Sequence, residues 1–217
     1  MENIPEWLRI YAENFVSEKG YDSSHDITHF SNVVNYVKLI IDYEKQKGRW
    51  TREDIEFEEI MYISAFCHDL IDGKYVDPLS STQSLITLFK DNDYPSDKLE
   101  VILYIIQNMS FSKQRKRVIS SKEEEKEGKY EKYLNIVSDA DKLDAYRVER
   151  VVAFQESRNT DENISKGWIK TILVKRILEY KDKWLKTEYA KLVAPPLHDK
   201  VEEYVEIHLK DVSMFDY

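Results

Sequence analysis

Residues 60–71 read IMYISAFCHDLI, and they form the most hydrophobic stretch of the chain. A helix that is apolar on every side is a buried one, so this stretch predicts a central helix. Two ionisable residues, His68 and Asp69, interrupt it near its end. An ionised aspartate buried without a partner would cost several kcal/mol. The pair therefore predicts either an ion pair in the core or a bound metal ion.

Length and composition indicate a globular, helical protein. The chain has 217 residues, of which 42% are hydrophobic and 34% charged, and it contains only five glycines and five prolines. So few turn-forming residues in a chain of this length favour long helices around one core. We expect an all-α fold, arranged as a single-domain helical bundle.

Charge and cysteine content exclude several classes of protein. A formal net charge of −9 argues against nucleic-acid binding, which needs a basic surface. The single cysteine, Cys67, allows no internal disulfide and is typical of a reducing compartment. The first residues lack the pattern of a signal peptide, and no apolar run is long enough to cross a membrane. We expect a soluble, cytoplasmic protein without a membrane or nucleic-acid partner.

Hydrophobic spacing is helical along nearly the whole chain. Thr51 and Asp54 form a capping-box pattern, which predicts that the central helix begins there and reaches about residue 70. The segment 112–129 is charged and lacks apolar spacing, so it predicts a surface loop. The other predicted helices cover residues 5–18, 28–48, 80–91, 96–109, 130–156, 164–192 and 198–211.

Two other predicted helices carry ionisable side chains on their apolar faces. His29 lies at helical spacing before Val33, and Asp141 and Asp144 fall on the apolar stripe of the helix 130–156. Asp139 projects to roughly the opposite side of that helix.

A buried histidine or aspartate is more often a hydrogen-bonded structural residue than a metal ligand. Here three apolar stripes each present such a group, and this coincidence favours a site of two imidazoles and two carboxylates for one divalent ion. The predicted ligands are His29, His68, Asp69 and Asp141.

The order of these residues resembles that of the HD-domain metal-dependent phosphohydrolases, whose ligands occur as His, then His-Asp, then Asp. The chain is most similar to small bacterial and viral members with an HDxxH opening, which reads HDITH here at 25–29. The motifs CHDLIDGKY (67–75) and SDADKLDAYR (138–147) and the tail KDKWLKTEYAKLVA (181–194) extend the resemblance. Asn32 stands where such relatives commonly carry an arginine.

The resemblance implies one HD-type domain over residues 1–217. Its metal-binding core would span about 21–152, with C-terminal helices at about 164–211 packed on it. The segment 105–113 lacks a later histidine that some relatives have, so we expect one divalent ion rather than two. That ion could be Mn, Fe, Co, Ni, Zn or Mg.

The resemblance also implies roles for residues near the ligands. Asp72 would do general acid–base work, with a solvated carboxylate at a helix end as the equal alternative, and Asp69 would be both ligand and catalytic residue. The residues implied to contact substrate phosphates are Lys74, Lys142, His25 and Arg147.

Three other features favour structural interpretations. The basic group Lys113, Arg115, Lys116 and Arg117 either folds over the phosphates or forms a solvated surface, and the second interpretation is favoured. Cys67 is expected in the core. His198-Asp199 is the third His-Asp pair of the chain, and it is expected to be structural, with Asp199 capping the last helix.

The implied function is that of a divalent-metal-dependent phosphohydrolase acting on a small phosphorylated substrate. The resemblance favours a nucleotide, foremost a (deoxy)nucleoside triphosphate, with water activated by the metal as nucleophile. Two alternatives stay open: a 5′-nucleotidase acting on nucleoside monophosphates, and a catalytically silent, metal-dependent nucleotide sensor. A homodimer is compatible with the sequence.

Overall fold

The computed structural model describes residues 3–120, 128–158 and 161–216, and for 116–120 it describes the backbone alone. Every regular element within these ranges is helical, which confirms the predicted all-α fold. The α-helices are α1 (Glu6–Glu18), α2 (Ile27–Gln46), α3 (Arg52–Glu56), α4 (Glu58–Cys67), α5 (Pro78–Asp91), α6 (Ser96–Asn108), α7 (Phe111–Ser120), α8 (Glu131–Asp144), α9 (Val148–Arg158), α10 (Glu162–Ile172) and α11 (Glu188–His208). A 3-10 turn at His68–Ile71 follows α4, and π-helical turns at Leu173–Ile177 and Tyr180–Trp184 lie between α10 and α11.

Three helices, α2, α4 and α8, form the centre of the bundle. α2 packs along both α4 and α8, and α6 packs against α4. Every residue of α4 from Ile60 to Cys67 is buried, which confirms the central helix expected from the most hydrophobic stretch. Because apolar contacts fix all three helices, their ends are held at defined positions relative to one another.

The C-terminal helices enclose a second apolar cluster beside the central one. Leu143 and Tyr146, from the end of α8 and the turn after it, pack there with Leu173, Ile177 and Tyr180. α11 also contacts both α2 and α8. None of the described helices combines the length and the apolar character needed to cross a membrane.

The capping box at Thr51 and Asp54 is present, as predicted. The helix that it begins is divided, however, into α3, α4 and the 3-10 turn at 68–71. His68 and Asp69 lie in that tight turn and not in a regular helix.

The predicted helix 130–156 is in fact two helices. α8 ends at Asp144, and the chain turns through 145–147 before α9 begins. Val148 and Val152 continue the apolar pattern beyond the turn, so hydrophobic spacing could not locate the break. The turn directs Arg150 of α9 toward the N-terminus of α2, where its Nε donates to Ser24 O at 2.8 Å.

The boundary before α11 is set by a buried carboxylate. Asp139 Oδ2 accepts from the N–H groups of Lys186 and Thr187 at 2.8 and 2.7 Å. This contact between distant segments ends the predicted helix 164–192 early, because the chain is extended at Leu185 and begins α11 after Thr187.

The predicted start of a last helix at 198 is wrong. α11 runs through Pro195 and Pro196 without ending, so Asp199 lies inside the helix and does not cap it.

The predicted loop 112–129 is also wrong in its first part, where α7 occupies Phe111–Ser120. The ring of Phe111 packs against Tyr180 and Trp184, with centroid distances of 5.5 and 4.9 Å. These long-range contacts anchor the start of a helix whose own sequence is mostly charged. Residues 121–127 lie outside the described part of the chain.

Candidate metal centre

Three helix ends bring the four predicted ligands together. His29 lies in the first turn of α2, where the carboxylate of Asp26 caps the helix and accepts from His29 N–H at 3.1 Å. His68 and Asp69 lie in the turn after α4, and Asp141 lies in the last turn of α8. The burial of the three helices therefore fixes the positions of these side chains.

Donor atoms of His29, His68 and Asp141 all lie within 4.8 Å of one another, and Asp69 adds a carboxylate oxygen beside the two imidazoles. His29 Nε2 and His68 Nε2 are 3.1 Å apart, and each lies 3.3 Å from Asp69 Oδ2. Asp141 Oδ1 is 3.6 Å from His29 Nε2 and 3.8 Å from His68 Nε2. Ligand atoms that each lie about 2.0–2.2 Å from one divalent ion are separated by distances of this size.

The hydrogen bond made by Nδ1 of each imidazole determines that Nε2 is the acceptor that faces the carboxylates of Asp69 and Asp141. His29 Nδ1 lies 2.7 Å from Asp144 Oδ2, and His68 Nδ1 lies 2.7 Å from Ala65 O. A carboxylate and a carbonyl can only accept, so each Nδ1 carries the proton. In the neutral rings, both Nε2 lone pairs then point at the carboxylates of Asp69 and Asp141. The acceptors of His29, His68 and Asp141, together with an Asp69 oxygen 3.3 Å from both imidazole nitrogens, fit a divalent cation.

The pKa values of these groups reflect their mutual charges. Burial acts to raise the pKa of Asp69, but the neighbouring His68 and His29 hold it well below its ordinary value. Burial acts to lower the pKa of His68, but the carboxylates of Asp69 and Asp141 raise it to about 9. A metal ion would therefore compete with a proton for His68 Nε2.

Arg150 is a candidate site residue that the sequence did not indicate. One terminal nitrogen of its guanidinium lies 3.1 Å from Asp144 Oδ2 and 4.0 Å from Asp141 Oδ1. Its side chain is only 10% exposed. The turn at 145–147 brings this cation to the site, and that turn was not predicted, so the available signals could not place Arg150 there.

A cavity of about 750 Å³ opens from the ligands. His68, Asp69 and Asp141 lie in its wall, and Lys74 and Arg150 supply positive charge nearby. The apolar part of the lining consists of Ile71, Pro78, Leu79, Ile106, Met109, Phe111, Ala145, Val151, Phe154, Ile172 and Ile177. The cavity therefore combines a charged region beside the ligands with a large apolar wall.

Asp72 and Lys74 lie on the cavity wall just beyond the 3-10 turn. Their side chains form an ion pair, with Lys74 Nζ 2.9 Å from Asp72 Oδ2. Both side chains are partly exposed, so they can contact a molecule in the cavity.

His25 is held on the cavity wall by two hydroxyl groups. Tyr75 OH donates to Asp22 Oδ2 at 2.6 Å, and Ser24 Oγ donates to Asp22 Oδ1. Both hydroxyl oxygens can then accept from Nδ1–H of His25, at 3.0 and 2.5 Å. Burial lowers the pKa of His25. The neutral ring thus presents Nε2 as an acceptor, 3.4 Å from Lys74 Nζ.

The structure does not bring two of the predicted phosphate-binding residues to the cavity. Lys142 is buried beside it, where Nζ donates to Ser138 Oγ at 2.5 Å. Arg147 pairs with Glu149 at 2.9 Å and with Asp144 at 3.5 Å, and it does not line the cavity. Arg150, unlike Arg147, lines the cavity.

The basic group 113–117 is only partly described. Lys113 lines the cavity, whereas the side chains of Lys116 and Arg117 lie outside the described part of the structure. Cys67 is fully buried, and its Sγ donates to Ile63 O at 2.7 Å. Burial raises the pKa of this thiol, as expected of a core cysteine.

Comparison with known proteins adds a family and a fold. The sequence profile of the family described as HD domain matches residues 26–146. A structural-genomics target protein from Lactobacillus plantarum has a TM-score of 0.70 and 18% identity, over 96% of this chain and 98% of that chain. YpgQ from Bacillus subtilis has a TM-score of 0.57 and 19% identity, over 94% of this chain and 97% of its own. At these identities, the likeness shows a shared fold. No curated protein sequence matches the chain.

The contact between Asp144 and His29 gives a first prediction. In Asp144→Asn, the amide can no longer impose the Nδ1–H form of His29 as strongly. We expect metal affinity to fall by about 10- to 100-fold, as for other partners of metal-binding histidines. Isothermal titration with Mn²⁺ measures this change. Glu149→Gln is the control: Arg147 pairs with both Asp144 and Glu149, so this change removes an exposed carboxylate beside the same arginine and should leave the affinity unchanged. Equal metal affinities for Asp144→Asn and the wild type would contradict the role of Asp144 in fixing the Nδ1–H form of His29.

Proposed function

The chain belongs to the HD domain family of metal-dependent phosphohydrolases, and from this premise we propose that it hydrolyses a nucleotide, foremost a (deoxy)nucleoside triphosphate. The observation that carries the proposal is the position of the four acceptors. They lie beside a cavity that is also lined by a large apolar surface and by four cationic side chains, those of Lys74, Lys113, Arg150 and Arg176. The phosphate groups of a phosphorylated organic molecule would lie beside the acceptors and the cations, and its organic part would pack against the apolar surface.

In this proposal His29, His68, Asp69 and Asp141 hold one divalent ion. Such an ion, when bound, acts as a Lewis acid toward phosphoryl oxygens and lowers the pKa of water. Asp144 fixes the His29 ring, and the carbonyl of Ala65 fixes the His68 ring. Imidazole and carboxylate ligands accept several first-row metals, and Mn²⁺ is a suitable first choice for assays.

Lys74 and Arg150 would bind the phosphate oxygens. Lys74 Nζ lies between Asp72 and His25, at 2.9 and 3.4 Å. Arg150 presents a guanidinium 4.0 Å from Asp141 Oδ1. Charge-assisted hydrogen bonds from these groups would orient the phosphates beside the ligands and offset their charge.

Asp72 would hold or move a proton during hydrolysis. It follows the ligand Asp69 by one turn, and its carboxylate lies on the cavity wall. Its oxygens lie within reach of a molecule in the cavity, where the carboxylate would accept a proton from water. His25 Nε2 is a second acceptor on the same side of the cavity and would contact the substrate.

The apolar wall supports a substrate with a large organic part. Phe111 and Phe154 expose ring surface to the cavity together with several aliphatic side chains. A nucleobase can pack against such surfaces, whereas inorganic phosphates cannot use them. The preference for a triphosphate over a monophosphate rests on the resemblance to the small HDxxH enzymes.

Product analysis tests the proposed function. The purified protein is incubated in Mn²⁺ with ribo- and deoxynucleoside mono- and triphosphates, and products are identified by mass spectrometry. We expect a nucleoside monophosphate and pyrophosphate from a triphosphate, and no products with Asp141→Asn. Nucleoside and phosphate from a monophosphate would select the 5′-nucleotidase instead. Nucleotide binding without turnover of any substrate would select the sensor.

The role of Asp72 gives a separate prediction. Asp72→Asn keeps the size of the side chain and removes its ability to accept a proton. We expect kcat to fall by about 10²- to 10⁴-fold with metal affinity unchanged. Asp77→Asn provides a matched control, because it neutralises an exposed carboxylate of the same segment and asparagine still caps α5. Wild-type turnover in Asp72→Asn would contradict this role and favour the alternative, a solvated carboxylate at a helix end.

Arg150 and Arg147 can be compared directly. Arg150→Met removes a charged hydrogen-bond donor from the cavity, so we expect KM for the substrate to rise by about 10- to 100-fold. Arg147→Met removes the same charge outside the cavity and should change KM little. Arg150→Lys should recover part of the affinity, since it restores the charge. A larger KM effect at Arg147 than at Arg150 would overturn this assignment.

A further inference from the structure

The third His-Asp pair, His198-Asp199, lies in the middle of α11 and away from the candidate metal centre. Its imidazole is buried, with the side chain 7% exposed. His198 Nδ1 is also buried, and it has no hydrogen-bond partner in the part of the chain that the structure describes. A buried polar atom without a partner is uncommon and needs an explanation.

Two carboxylates face this nitrogen at distances that do not suit hydrogen bonds. His198 Nδ1 is 3.6 Å from Glu202 Oε2 and 3.9 Å from Asp199 Oδ1. These separations exceed the usual length of an N–H···O bond. They are close to those between two atoms that each lie about 2.0–2.2 Å from one metal ion. One donor atom from each of the three residues lies within 4.8 Å of the other two.

We propose that His198, Asp199 and Glu202 form a second binding site for a divalent transition-metal ion. One imidazole and two carboxylates suit Zn²⁺, Co²⁺ or Ni²⁺. His198 and Glu202 are one helical turn apart and therefore share a face of α11. Asp199 and Glu202 are 75% and 58% exposed, so water can complete the coordination from the solvent side. The proposal does not depend on the activity proposed for the candidate metal centre.

The position of this site suggests that it stabilises α11. Pro195 and Pro196 lie just before His198 inside the helix. Proline has no N–H group, so the helix lacks two backbone hydrogen bonds at this turn. A metal ion bound by His198 and Glu202 would hold the following turn in helical geometry. Because α11 packs against both α8 and α2, its ordering would stabilise the bundle that contains the candidate centre.

Metal titration of surface variants tests the proposal without changing the buried imidazole. Tag-free protein is titrated with Co²⁺ and Zn²⁺ by calorimetry, in the wild type and in an Asp141→Asn background that weakens the candidate metal centre. Glu202→Gln and Asp199→Asn each remove one carboxylate of the α11 site. Glu203→Gln removes the adjacent exposed carboxylate of the same helix and serves as the matched control.

We expect the Asp141→Asn protein to bind one ion with a dissociation constant of about 100 µM or tighter. Glu202→Gln and Asp199→Asn should each weaken that binding at least tenfold, and Glu203→Gln should not. Added metal should also raise the melting temperature of the Asp141→Asn protein, but not that of its Glu202→Gln form. Weaker binding than this, or equal binding in Glu202→Gln and Glu203→Gln, would overturn the proposal. Neither result would alter the nucleotide assay, which reports on the candidate metal centre.

Discussion

Two carboxylates and two imidazole lone pairs meet where α2, α4 and α8 come together, and such a group is stable in a protein interior only beside positive charge. The helices leave these atoms little freedom to separate. α4 is buried from Ile60 to Cys67, and α2 packs on both of its neighbours. His29 and His68 are each also fixed through Nδ1 by an acceptor. A proton on His68 Nε2 or a bound metal ion resolves the resulting repulsion, and this requirement connects the hydrophobic packing of the bundle to its chemistry.

The second half of the chain completes the site through two breaks in helical structure. The turn at 145–147 returns α9 across the end of α8, so Arg150 lies beside Asp144 and Asp141. The end of the π-helical segment is held by Asp139, two residues before the candidate ligand Asp141. α8 therefore presents a structural carboxylate on one side and a candidate ligand on the other. The C-terminal helices also supply part of the apolar cavity wall through Ile172 and Ile177.

Much of the fold, and the meeting of the four predicted ligand residues, could be predicted from sequence, because apolar spacing and the order of the motifs carry both. The apolar run before His68 predicted the central helix, and the stripes of α2 and α8 placed His29 and Asp141 toward the core. The family order of His, His-Asp and Asp then grouped them. Arg150 and the boundary before α11 could not be predicted in this way. Each depends on a contact between distant segments, Arg150 with Ser24 and Asp139 with Thr187, and apolar spacing carries no signal for such contacts.

Lys142 is another residue whose contacts could not be predicted from its position in the sequence. Its place next to Asp141 in the sequence suggested a phosphate contact, but adjacent residues of a helix point in different directions, and its ammonium lies against Ser138. We propose that His29, His68, Asp69 and Asp141 together bind one divalent ion. Anomalous X-ray diffraction at the manganese absorption edge, from crystals grown with Mn²⁺, tests it most directly. We expect an anomalous peak within ligand distance, about 2.0–2.3 Å, of all four residues. Well-ordered side chains with no peak between them would contradict it.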